Sequence, residues 1–163
     1  MLGQYYLLIK DYAKSVDYFE EYFANASETA IAGTLDENHM LGYALLKTGR
    51  KKEGYQKLDF TLNHISERGG VLTPDYEFAK IYSAKGMIDS AYYHLEKAVA
   101  GHIHWGTSDF MELDPLFENI KDEPKFQRLV EIAREKVRTK REEVRKLEQS
   151  GFIPESLDEM ELY

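Results

Sequence analysis

Residues 73–98 read TPDYEFAKIYSAKGMIDSAYYHLEKA, and the spacing inside them leaves little choice of local fold. Phe78, Ala79 and Tyr82 stand at i, i+1 and i+4, Gly86 interrupts, and Ala91, Leu95 and Ala98 stand at i, i+4 and i+7. Two apolar stripes of helical period on either side of a glycine predict two short amphipathic helices joined by a tight turn. Ala79 on the first helix and Ala91 and Ala98 on the second are small enough to let the backbones approach closely. Thr73 before Pro74 is a start signal, because proline at the first helical position gives up an N–H that has no intrahelical partner there. Gly86 takes the left-handed conformation that ends a helix.

The same pattern recurs upstream. Gly49 lies 37 residues before Gly86, and the same offsets put Leu41-Gly42 at the large-small pair, Leu45 at the Tyr82 position, Gly54 at the Ala91 position, and Leu58 and Thr61 beyond. A further 39 residues back, Lys10 takes the turn position, Leu2-Gly3 and Tyr6 fall on the first-helix face, and Ser15, Phe19 and Tyr22 on the second. Thr34-Leu35-Asp36-Glu37 reads as a capping box opening the middle copy. Three helix pairs follow, at about residues 1–26, 34–66 and 73–100. The first copy starts almost inside its first helix, which reads as a trimmed first repeat or, preferably, as the C-terminal part of a longer protein.

The large-small pair, the tyrosine, the turn glycine and the later Ala, Leu and Ala resemble a tetratricopeptide repeat, although steps of 37 and 39 exceed its usual length of about 34. After Leu95-Glu96-Lys97-Ala98 come Leu113-Asp114-Pro115-Leu116-Phe117 and Ile120-Lys121-Asp122-Glu123-Pro124-Lys125-Phe126. This phrase resembles the segment that closes tetratricopeptide arrays at the C-termini of many bacterial multidomain proteins, and His102-Ile103-His104-Trp105-Gly106 departs from it. The resemblance covers about residues 2–130. It implies an all-α, TPR-like α-α superhelix with C-terminal capping helices, acting as a non-catalytic protein-binding scaffold. The alternative is a regulatory or sensor module of a larger bacterial signalling, transcription-regulator or enzyme chain.

Asp114-Pro115 and Asp122-Glu123-Pro124 are two helix-start signals, with acidic residues where the helix dipole favours them. One helix is expected from Pro124 to about Gln149, and residues 131–163 form an extended helix and tail beyond the array. Residues 125–146 carry nine Lys or Arg and four Glu, a local +5 in a chain of net charge −8. Val130, Ala133, Val137, Val144 and Leu147 recur at seam positions of a heptad that Lys140 interrupts, which makes a homodimer through this helix a third reading. The basic residues alternate with Glu135, Glu142 and Glu143, and no aromatic residues are interleaved for base stacking, so nucleic acid is not the expected partner.

The chain has no cysteine, which excludes disulfides and thiolate chemistry. No apolar run is long enough for a membrane span, and a cytoplasmic setting is expected. His102 and His104, with Asp109 and Glu112, have the chemistry of metal ligands but not the i, i+4 spacing of a helical pair, and read better as a polar loop. Glu142-Glu143 are adjacent on a helix and point apart, so they make no acid-base pair. With no phosphate loop or nucleophile elbow, no cofactor, metal or catalytic residue is expected.

The expected contact surface is the face of the first helices turned away from the second: Asp36, His39, Tyr43 and Lys47 in the middle copy, and Tyr76, Lys80 and Ser83 in the last. In proteins of the resembled family that face lines a concave groove for a peptide or protein partner, and tyrosines beside lysines suit such recognition. The competing arrangement is a groove filled by the chain's own C-terminal tail or by nothing. The Lys and Asn set with which some members grip a terminal carboxylate is not matched, since Tyr43, Met40, Thr73 and Glu77 take those places.

Overall fold

The computed structural model describes residues 2–25, 35–65, 74–101 and 110–151, and among these the regular structure is entirely helical. Three hairpins follow one another: α1 (Leu2–Leu8) with α2 (Tyr12–Asn25), α3 (Leu35–Lys47) with α4 (Lys51–Ile65), and α5 (Pro74–Ala84) with α6 (Ile88–Ala100). A 3-10 turn at Pro115–Phe117 and the long helix α7 (Pro124–Gln149) complete the chain. Each helix packs on the next, and α7 returns against α6.

The hairpins share one turn. Lys10, Gly49 and Gly86 all sit at positive φ, at 62°, 87° and 75°. In each turn this residue's N–H and the next N–H reach back to the preceding helix: Lys10 to Leu7 and Asp11 to Tyr6, Gly49 to Leu46 and Arg50 to Leu45, Gly86 to Ser83 and Met87 to Tyr82. That pair of bonds satisfies carbonyls which a helix end otherwise leaves open, and it requires a left-handed residue.

The register also sets where the helices cross. Gly42 and Gly54 face one another so closely that a Cβ on Gly54 would lie 2.8 Å from the Gly42 carbonyl oxygen. In the third hairpin Ala79 and Ala91, both fully buried, hold the corresponding places. In the first they are Gly3 and Ser15, whose hydroxyl donates to the Gly3 carbonyl at 2.9 Å.

Two hydrophobic clusters result. One joins Leu7, Phe19, Leu41, Leu45, Leu58 and Ile81, and the other joins Ala79, Leu95, Met111, Ile120, Phe126 and Val130. The closing segment stitches them together, because Leu116 belongs to the first and its neighbour Phe117 to the second. This explains a departure from expectation: Asp114-Pro115 opens only one 3-10 turn, with the Asp114 carboxylate accepting from the Leu116 N–H at 3.0 Å. A turn of three residues per revolution points consecutive side chains to different sides, as burial of both Leu116 and Phe117 demands.

Helix α7 spans the stretch the sequence assigns to it, but a boundary at 130/131 falls inside a continuous element whose inward face is buried as far as Val137. The dimer seam is corrected accordingly. Val130, Ala133 and Val137 are buried within the chain, Val144 is half-buried, and Leu147 alone of the five is exposed, so only the distal end of the stripe faces outward. Lys136 bonds the carbonyls of Val99 and Ala100 at 2.6 and 2.8 Å, placing a cation on the negative end of α6. No helix among the described residues is long and apolar enough to cross a membrane.

Candidate functional site: the first-helix face and its cleft

The face expected to form an open groove is covered by the segment around Asp114–Asn119. His39 and Ser83 are fully buried, Tyr43 is 1%, Lys80 6% and Tyr76 8% exposed, and only Lys47 retains an exposed side chain. The side chain of Asp36 lies outside the described residues, as do Thr34, Thr73, His102, His104, Trp105 and Asp109. Glu112, the remaining candidate metal ligand, is paired with Arg134.

Glu118 is the anchor. Its carboxylate accepts from Tyr43 Oη at 2.5 Å and from Tyr12 Oη at 3.3 Å, and pairs with Lys10 Nζ at 2.6 Å and Lys47 Nζ at 2.7 Å. Burial opposes its ionisation, but the bonds from Lys10, Lys47 and Tyr43 outweigh it and hold the carboxyl well below the usual range. Burial, and then the carboxylate itself, push Tyr43 far above the ordinary phenol value, so the ring donates as a neutral hydroxyl.

A second polar cluster lies beside it. Lys80 Nζ is 2.7 Å from Glu77 and 3.8 Å from Asp114, and sits over the Tyr76 ring, which meets Phe117 edge-on. His39 Nδ1 is 3.8 Å from Glu77, and neither ring nitrogen has a hydrogen-bond partner among the described residues. Burial, reinforced by Lys80, holds His39 well below the usual imidazole value, so it is neutral. Asn119 donates to the Ser83 carbonyl at 2.7 Å.

This cover is part of the core. Met111, Leu116, Phe117 and Ile120 are each at most 1% exposed. At about 1.5–3 kcal/mol for each buried side chain, lifting the segment would cost roughly 6–12 kcal/mol, comparable with the whole stability of a domain. A ligand cannot take the place of this segment by ordinary peptide affinity.

What stays open is a cleft of about 260 Å³ at the edge of the same face, between the turns that end α3 and α5. Tyr43, Leu46, Lys47, Lys51, Tyr55 and Lys85 line it. Lys47 is shared with Glu118 and Lys85 with Asp59, while Lys51, the first residue of α4, makes no ion pair among the described residues. The face therefore unites Tyr43 and Lys47, which the sequence singles out, with Lys10, Tyr12, Glu118, Lys51, Tyr55 and Lys85, which it does not. No family model, curated protein or solved structure matches the chain.

Proposed function

We propose that the chain is a non-catalytic, tetratricopeptide-type scaffold that binds an acidic segment of a partner protein in the cleft beside Glu118. The supporting observation is the mode in which this face holds the chain's own acidic segment: two lysines and two tyrosine hydroxyls on one carboxylate. The cleft continues the same chemistry outward, with Lys47, Lys51 and Lys85 around the half-exposed Tyr55 ring. Lysines mark it as a local positive site on a chain of net charge −8, which attracts a partner's carboxylates. In this reading the buried part of the groove is framework, and recognition has moved to its edge.

The test is fluorescence anisotropy with a labelled peptide rich in Asp, Glu and Leu. The wild-type chain is expected to bind it, with affinity falling as salt is raised, and Lys47→Ala/Lys51→Ala to weaken it by about tenfold, the worth of 1.4 kcal/mol. Equal binding by wild type and variant, or none by either, would remove the cleft as the recognition site.

A further inference from the structure

The long helix α7 ends in the same turn that folds each hairpin back. Gly151 sits at a φ of 73°, beside 87° for Gly49 and 75° for Gly86. Its N–H reaches the Glu148 carbonyl at 2.9 Å, and the Ser150 N–H reaches the Lys146 carbonyl at 3.1 Å. Gly49 with Thr48, and Gly86 with Lys85, make the same two bonds, to carbonyls three and four residues back. After each of those turns a helix begins two residues on and returns along the one before it.

The residues on both sides of Gly151 keep the hairpin register. Seven before the turn, where Gly3, Gly42 and Ala79 stand, is Val144, and four before it, where Tyr6, Leu45 and Tyr82 stand, is Leu147. Five after it, where Ser15, Gly54 and Ala91 stand, is Ser156, and nine after it, where Phe19, Leu58 and Leu95 stand, is Met160. Pro154 falls in the first turn of the returning segment, where a missing N–H costs no intrahelical bond. One position departs: eight before the turn is Glu143, where Leu41 and Phe78 join their hairpins to the preceding ones. That polar residue suits a hairpin that projects beyond the stack instead of packing into it.

The distal half of α7 offers the matching face. Burial stops at Val137, and the inward stripe runs on as Val144, half-buried, and Leu147, 41% exposed. Lys140 and Arg141 stand one turn before Val144, the lysine in an exposed pair with Glu143. Residues 152–163 carry Glu155, Asp158, Glu159 and Glu161 and no Lys or Arg. An antiparallel return brings the acidic end of this segment back towards Lys140 and Arg141, so charge and apolar pattern agree on one arrangement.

We propose that residues 152–163 form a fourth hairpin with the distal half of α7, so that an acidic segment of the chain covers the Val144–Leu147 face within the same molecule. The basic helix is then a closed surface rather than one open to an anionic partner, and the tail lies on α7 instead of over the first-helix face.

Because the sequence has no cysteine, paired substitutions in the full chain test this. Val144→Cys/Ser156→Cys joins the crossing positions that Gly42 and Gly54 occupy in the second hairpin, where Cβ atoms come within disulfide range. Arg145→Cys/Leu157→Cys has the same separation along the chain, but position 145 lies about 100° round the helix from Val144. Mild oxidation should close the first pair at least about tenfold faster than the second, in a product of monomer size. Leu147→Gln supplies a second readout: a glutamate-specific protease should cut its tail at Glu155 and Glu159 about tenfold faster than in the wild type, as for the loss of one buried leucine contact. Equal closure of the two pairs, a covalent dimer in place of the monomeric product, or a tail cut equally fast in wild type and Leu147→Gln overturns the proposal.

Discussion

Gly54 shows how a residue that looks like a weakness is required by packing. In the interior of α4 it sacrifices about 1 kcal/mol of helix propensity relative to alanine. An added methyl would meet Leu46 at 2.7 Å and the Gly42 carbonyl oxygen at 2.8 Å. The leucine can rotate away, but the carbonyl is backbone and moves only if α3 and α4 separate. Overpacking of this kind costs about 1–3 kcal/mol, so the clash outweighs the propensity gain. Gly54→Ala is expected to destabilise the fold by about 1 kcal/mol, read as a lower urea midpoint; a higher midpoint would mean that the crossing relaxes freely. Lys10 presents the opposite case. It holds a left-handed φ of 62° where the other two turns use glycine, and its side chain is turned to account as a Glu118 partner.

At the scale of elements, the hairpins were legible in the sequence and the cover over them was not. Turn positions, crossings and helix faces follow from offsets within about 30 residues, and Lys10 was placed at its turn by register alone even though it is not a glycine. The Glu118 contacts join positions 71 to 108 residues apart, and no local pattern states that the closing segment returns across the first-helix face. Asp114-Pro115 signals a start but not that it opens only a single 3-10 turn, because the tertiary demand on Leu116 and Phe117 overrides the local signal. His39, Tyr43, Tyr76 and Lys80 were therefore singled out as one face, while their burial under a segment of the same chain was hidden. Glu118→Gln tests how much the anchor holds that segment in place. It keeps the shape and one acceptor but leaves Lys10 and Lys47 facing a neutral group. A loss of about 2 kcal/mol is expected, in the range for hydrogen bonds to charged groups. Unchanged unfolding by urea would assign the segment's position to Leu116 and Phe117 alone.

For the molecule as a whole, the two polar clusters under the closing segment make stability depend on pH in a defined order. His39 has its imidazole held well below the usual 6.5 by burial and then by Lys80. As pH falls through about 6.5 the unfolded chain takes up a proton that the folded chain refuses. Its contribution is thus fully present above that pH and is lost below it, at up to about 1.4 kcal/mol per pH unit. Glu118 is shifted downward as well, and the stability it confers is present above its ordinary value of 4.5 and lost only as pH falls below that. Between pH 7 and 5 the histidine should dominate. Urea unfolding should show the wild type losing up to about 2 kcal/mol over that interval. His39→Leu should be flatter, since the leucine sits beside Glu77 and Lys80 without titrating. Every other histidine is common to both proteins, so the difference between the two profiles isolates this ring. Parallel profiles would mean that His39 accepts its proton in the folded state, against Glu77 at 3.8 Å, and that the closing segment stays shut in acid.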